Sequence, residues 1–193
     1  MKTFKLTVIT ILAVLSFSSC SYNTMVSKQE AVASQWGQVE NVYQRRADLI
    51  PNLVETVKGY ANHESNTFQA VAEARSKATQ MKISVDDLTE ENIQKYQEAQ
   101  GAVGAALGRL LAIQENYPEL KADQSFRELQ AQLEGTENRI SVERNKFNTV
   151  VKEYNTYIRQ FPRVIYASWF GFDKKAYFES QAGSEVAPTV KFD

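Results

Sequence analysis

The chain is predicted to be all-α: an elongated up-and-down bundle of three long helices, closed by a short C-terminal amphipathic helix and an extended tail. Three observations predict it. Apolar residues recur at alternating spacings of three and four along extended stretches, which is the pattern of helices that pack on helices. Only eight glycines and four prolines interrupt 193 residues, so little breaks those stretches. The hydrophobic content of 43% is enough for one domain with a real core.

The first helix rests on the seam Trp36, Val39, Tyr43, Arg46, Ile50, Leu53, Val57 and Tyr60. Two irregularities mark it. Arg46 stands where an apolar residue is expected, and Pro51 sits mid-helix, where it removes one amide donor and crowds the carbonyl of Ala47. A kink beside a semi-buried cation is the expectation. The helix begins near Ser27 or Lys28 and is expected to run, continuous or kinked, to about Met81. Past Tyr60 the seam weakens, with Asn62 and Ser65 as alternative caps for a new start. In the loop that follows, Ser84 to Asp87 and Thr89 to Asn92 compete as caps.

The second helix is expected from about Glu90 to Glu115. Its centre carries a stripe of small residues, Gly101, Ala105, Gly108 and Ala112. Each glycine costs about 1 kcal/mol relative to alanine in a helix interior, and close helix approach is the expected compensation. Lys95, Glu98, Arg109 and Glu115 around the stripe place it in water. Tyr117-Pro118 ends this helix, since the residue before proline leaves helical geometry. Ser125 to Glu128 reads as a capping box for the third helix. From there Phe126, Leu129, Leu133, Thr136, Ile140, Glu143, Phe147, Val150, Tyr154, Tyr157 and Phe161 keep the same spacing until Phe161-Pro162 stops it. Glu143 is a second charge on a packing seam. Spacing assigns faces but not vertical register, so whether Glu143 meets Arg46 stays open at this level.

The stretch R-V-I-Y-A-S-W-F-G-F places Ile165, Trp169, Phe170 and Phe172 together, more apolar surface than water tolerates. It folds back over the bundle, touches a membrane surface or holds a partner. Residues 173–193 read as an extended end.

The N-terminus sets the compartment. Lys2 and Lys5 precede the run Leu6 to Phe17, and Ser18-Ser19 lead to the sole cysteine, Cys20. Those twelve residues span about 18 Å as a helix, short of a hydrocarbon core of roughly 30 Å. The arrangement resembles a bacterial lipoprotein signal, in which the cysteine becomes the first mature residue and carries the acyl chains. Phe17 departs from the aliphatic residue usual in such signals. The organisation expected is a leader over 1–19, a tether over 20–27, the bundle over 28–172 and the tail over 173–193. Loss of residues 1–19 removes two of 22 basic residues, leaving 20 against 23 acidic ones. Lysines and arginines are spread along helical faces, so nucleic acid is not an expected partner.

Several blocks in order carry a wider likeness: Arg45-Arg46-Ala47-Asp48-Leu49-Ile50-Pro51-Asn52-Leu53-Val54, Val57-Lys58-Gly59-Tyr60, His63-Glu64, Ala106 to Leu110, Tyr117 to Ala122, Gly135 to Ile140, Phe147-Asn148, Tyr154-Asn155 and Phe161-Pro162. With them the chain resembles the LemA family of bacterial membrane-associated proteins over about residues 25–178. The resemblance implies the elongated three-helix bundle that the seams suggest independently, and no established enzymatic activity. Family members typically carry a spanning helix where this chain has a lipoprotein-like leader.

No chemistry is expected of the one histidine. His63, Glu64 and Ser65 are neighbours in sequence, and neighbours on a helix do not face one another. One histidine and one acylated cysteine make no zinc site, and no cofactor is expected. Arg45, Arg46, Asp48, Pro51, Asn52, His63, Glu64, Glu137, Asn138, Arg139 and Asn148 read instead as a polar network that sets helix register or lines a cleft for a partner. The expected role is a lipid-anchored, non-catalytic scaffold of the bacterial envelope, facing the periplasm and binding another envelope protein. An accessory factor or cryptic hydrolase, and a membrane-remodelling bundle, are the alternatives.

Overall fold

The structure, a computed structural model, describes residues 2–179, with side chains from Ser21 onward. It comprises α1 (Lys2–Lys58), α2 (Ser65–Gln80), α3 (Glu90–Ala112) with a 3₁₀ turn at Ile113–Glu115, α4 (Pro118–Ala122), α5 (Gln124–Arg159), and α6 (Arg163–Ala167) with a 3₁₀ turn at Ser168–Phe170. No strand occurs among the described residues. The fold is the all-helical bundle that the seams predict.

Helix α1 and α5 lie antiparallel along nearly their whole shared length. Lys28 pairs with Glu153 at 3.2 Å, Gln35 with Glu143 at 2.7 Å, Arg46 with Glu137 at 2.8 Å and Tyr60 with Asp123 at 3.0 Å, one number rising as the other falls. The seam residues Trp36 to Val57 are all buried, Arg46 included, while Tyr60 is exposed. The segment 21–27 is not the expected tether, because α1 runs through it with Met25 fully buried. Its partners come from the other end of the chain: Tyr22 meets Phe170 and Phe172 edge-on, which no local reading of small polar residues anticipates.

The first rod does not continue to Met81. It ends at Lys58, and a turn through Ala61 returns the chain as α2, antiparallel to α1. The reason is burial. Reversal brings Phe68, Val71 and Ala78 onto the same core as Ile50, Leu53 and Val57, where a straight continuation would carry them away from it. Neither Asn62 nor Ser65 caps the new helix; Glu64 occupies that position without a side-chain bond. At α3 the choice of caps resolves to Thr89, whose hydroxyl accepts from the Asn92 amide, while Ser84 closes a small turn on Asp87. Helix α5 starts on the Asp123 carboxylate, which accepts from the Phe126 amide at 2.7 Å, rather than on Ser125.

Two apolar clusters form the core. One gathers Trp36, Tyr96, Phe147 and Phe178 about the lower half; the other gathers Leu53, Val57, Leu110 and Phe126 above. Between them lie Arg46, Gln100 and Thr136, all buried and all polar. The described part of the tail is core as well: Phe172, Ala176 and Phe178 are buried. Gly171, at φ +74°, turns the chain from the 3₁₀ turn into that tail, a conformation glycine adopts without strain.

Helix α1 stays helical through Pro51, which cannot donate to the Ala47 carbonyl. The missing donor is supplied from α2, where Arg75 Nε reaches Ala47 O at 2.8 Å. Arg75→Ala is therefore expected to cost about 1–2 kcal/mol in urea unfolding. In a Pro51→Ala background, where the backbone amide is restored, the same change should cost distinctly less. Equal losses in both backgrounds would show that the carbonyl does not need Arg75.

Candidate functional site

The Arg46 guanidinium, 4% exposed, is held by three helices. From α1 its Nη1 donates to Glu137 Oε1 on α5 at 2.8 Å, and its Nη2 donates to the Gln100 carbonyl at 3.0 Å and to Gln100 Oε1 at 2.6 Å on α3. The Tyr43 ring lies against it at 5.1 Å. Glu137 itself is half exposed, so the pair joins the interior to solvent. A buried cation satisfied this way is tolerated; one stripped of acceptors would not be.

Arg46 also forms a wall between two openings. On one side, between α1, α2 and α3, is a cavity of about 270 Å³ walled by Glu40, Tyr43, Arg75, Tyr96 and Gln100. On the other, between α3 and α5, is a groove of about 590 Å³ along Gly101, Gly104, Ala105 and Ser141. Burial raises the pKa of Glu40, and it raises Tyr43 despite the opposing cations Arg144 and Arg46. Tyr96 is raised as well, again by burial first. Both phenols therefore keep their protons through the ordinary pH range.

Only part of the expected network comes together. Arg46 and Glu137 meet. Arg45, Asp48, Pro51, Asn52, His63, Asn138 and Arg139 are exposed, and Glu64 is half-buried at the turn between α1 and α2. Sequence neighbours on one helix point to different faces, so a cluster read along the chain disperses in space. Glu143 does not meet Arg46: it accepts from Gln35 and from Lys146 at 2.9 Å, which together hold its carboxyl below the usual range, Lys146 foremost. Asn148 works elsewhere, on the tail. Its side chain brackets Phe178, Asn155 brackets Lys175, and the Tyr154 hydroxyl donates to the Asp173 carbonyl at 3.0 Å. Gln100 and Asn155 are absent from the expected set. Gln100 could have been found, because it sits on the α3 seam of Ile93, Tyr96, Val103 and Leu107 as Arg46 sits on that of α1.

The small-residue stripe is not a helix contact. Ala105, Gly108 and Ala112 are exposed, and a Cβ added at Gly104 or Gly108 would meet nothing within 4 Å. Gly101 and Ala105 line the groove instead. Of the apolar group near the C-terminus, Ile165, Trp169 and Phe170 are exposed while Phe172 is buried. Among the described residues no three His, Cys, Asp or Glu side chains converge as a metal site. The Cys20 side chain lies outside the described residues.

A profile of the LemA family matches residues 35–192. The chain belongs to the LemA family. Magnetosome protein MamQ 2 of Paramagnetospirillum magneticum is 26% identical over 94% of this chain and 74% of its own length. Magnetosome protein MamQ of Magnetospirillum gryphiswaldense is 27% identical over 94% and 73%. Protein LemA of Metamycoplasma hominis is 22% identical over 76% and 60%. None of these names denotes an enzyme. The LemA blocks around Arg46, Glu137 and Asn148 thus hold both the interhelical charge and one clamp on the tail.

Arg46→Met strands the Gln100 amide oxygen, and Gln100→Leu deprives Arg46 of an acceptor; each is expected to lose about 1–3 kcal/mol on denaturant unfolding. The double variant should lose clearly less than their sum, and strict additivity would disprove the link. A second expectation concerns alkali. Burial, aided by Asp173 and Asp86, pushes the Tyr154 phenol up to about 12 from its ordinary 10.0. The folded chain keeps that proton where the unfolded chain releases it, so the stabilisation is complete below pH 10 and drains away between 10 and 12. Unfolding midpoints measured from pH 8 to 12 should fall over that window, less steeply in Tyr154→Phe.

Proposed function

We propose that this LemA-family chain is a membrane-anchored, non-catalytic scaffold of the bacterial envelope, standing on a bilayer by its α6 end and holding other polypeptide on its helical faces. The observation that carries the reading is an apolar crown. Phe161 and Trp169 are each 80% exposed, and Phe170, Ile165 and Val164 are 59%, 50% and 46% exposed beside them. That is a large amount of exposed aromatic and aliphatic surface for one end of a small bundle.

Its position supports a lipid surface as the occupant. Phe170 lies 5.2 Å from Tyr22, where α1 enters the bundle. Two residues before Tyr22 in sequence is Cys20, and before that the apolar run Leu6 to Phe17. The crown therefore surrounds the end from which any anchor departs. Tryptophan and phenylalanine beside Arg159, Arg163 and Lys174 suit the headgroup boundary, where rings settle at the interface and cations meet phosphate. No helix among the described residues is long and apolar enough to cross a membrane, so attachment would rest on acylation of Cys20 together with the crown. Two such signals give stable anchoring where one short chain gives only reversible binding. The leader and its cysteine favour a periplasm-facing mature chain.

The test uses the full chain in vesicles whose acyl chains carry bromine. Trp169 fluorescence should shift to the blue and be quenched, and Trp169→Phe should abolish the quenching, since Trp36 is only 2% exposed within the core. Cys20→Ser should stop incorporation of labelled palmitate and leave the protein extractable by carbonate. Emission from Trp169 unchanged between water and vesicles would sink the crown's role; acylation unaffected by Cys20→Ser would sink the anchor.

A further inference from the structure

The cavity between α1, α2 and α3 has the build of a receptacle. Its volume of about 270 Å³ matches roughly nine waters at about 30 Å³ each, which suits a molecule of about ten non-hydrogen atoms. Helical spacing supplies each wall: residues 40, 43, 47 and 50 from α1, 75, 78 and 79 from α2, and 96, 100 and 103 from α3. The floor is buried, with Arg46, Tyr96 and Gln100 beside Ile50, Ala78 and Val103. The rim is wet, since Gln44, Thr79 and Lys82 are exposed.

Four charged side chains border this space, and three of them are balanced. Arg46 is paired with Glu137 at 2.8 Å, and Lys82 and Glu40 attract one another across the rim. Arg75 has no carboxylate partner among the described residues. One positive charge is left over.

That charge is held in place. Pro51 leaves the Ala47 carbonyl without its helical donor, and Arg75 Nε takes that carbonyl at 2.8 Å. The bond uses the inner nitrogen of the guanidinium. Among the described residues no acceptor takes the two outer nitrogens, which are the fork that grips a carboxylate through both its oxygens. Other donors stand nearby. Tyr96 keeps its phenolic proton, and Gln100 gives its oxygen to Arg46 and so keeps its amino group to donate. The complement of these walls is a molecule with acceptor oxygens, one negative charge and an apolar body. A phosphate or a dicarboxylate would bring a second charge with nothing to meet it and would leave the apolar wall uncovered.

We propose that the cavity is a binding site for a small amphipathic monocarboxylate, its oxygens gripped by Arg75 and its apolar body lodged against Ile50, Ala78 and Val103. An aryl or short alkyl carboxylate fits the volume. Because Arg75 stands on α2 and the apolar contacts reach α1 and α3, an occupant ties the three helices together at the level of the proline. The site goes beyond the holding role proposed above and depends neither on the crown nor on Cys20.

Benzoate tests this, added to the ¹⁵N-labelled full chain in detergent and followed by the arginine Nε–H resonances. The Arg75 signal should shift and saturate at about 1 mM benzoate or below, while benzamide, the neutral isostere, and inorganic phosphate each bind at least about ten-fold more weakly. Arg75→Gln should weaken benzoate at least about ten-fold, read on the Tyr96 ring signals. Thr79→Trp repeats the test without touching a charge or an interhelical bond, because the Thr79 hydroxyl reaches only the Arg75 and Ser76 carbonyls of its own helix, at 2.9 and 3.1 Å. An indole there should block the mouth and abolish the shift with the urea midpoint unmoved. No saturable shift by about 10 mM benzoate would overturn the proposal. Equal affinity for benzamide would overturn it in favour of a merely apolar hole, equal affinity for phosphate in favour of diffuse surface charge, and undiminished binding in Thr79→Trp would place the benzoate elsewhere.

Discussion

The bundle depends on one buried guanidinium. Arg46 needs acceptors, and the fold meets that need with groups from α3 and α5 at once. An apolar residue at the same place would pack against many sliding arrangements of its neighbours. A fork of fixed geometry accepts only a narrow range, so α1, α3 and α5 share a level where Gln100 and Glu137 stand. The apolar clusters above and below contribute most of the burial, and the polar layer between them ties α1, α3 and α5 together at one level.

Other local costs are met at a distance in the same manner. Pro51 orphans a carbonyl of its own helix, and a side chain from α2 answers it. Glycines weaken α3, and the space they leave belongs to a groove rather than to a neighbouring helix. The tail has no ladder of its own, yet carboxamides from α3 and α5 satisfy its amides and carbonyls. Each feature looks unfavourable within its own segment and becomes intelligible only beside the element that meets it.

That pattern explains what could be read in the chain and what could not. Trp36, Val39, Tyr43, Ile50, Leu53 and Val57 announced a buried face, because helical periodicity is local, and Arg46 and Pro51 stood out against it for the same reason. The partners of Arg46 are not legible, since periodicity says nothing of vertical offset and fits Glu143 as well as Glu137. The reversal after Lys58 is not legible, because the weakened seam past Tyr60 marks a place where the helix can break but not the direction in which the chain leaves it; burial of Phe68 and Val71 with Leu53 and Val57 sets that direction. Asn148 belongs to the expected network and Asn155 does not, although both hold the tail, because their common target lies 20 to 30 residues further on. Met25 in a supposed tether is the same failure at the other end.

The unbroken run of α1 from the crown to the far turn has a metric consequence. At 1.5 Å per residue, Arg46 stands about 36 Å from Tyr22 along the helix, and the turn after Lys58 roughly 55 Å. With the crown resting on lipid, the helix becomes a stand-off that holds the groove at a set altitude. Material lying flat on the bilayer would be out of range, whereas a segment projecting several nanometres would be met, and adding or deleting one turn below Arg46 would move that altitude by about 5.4 Å.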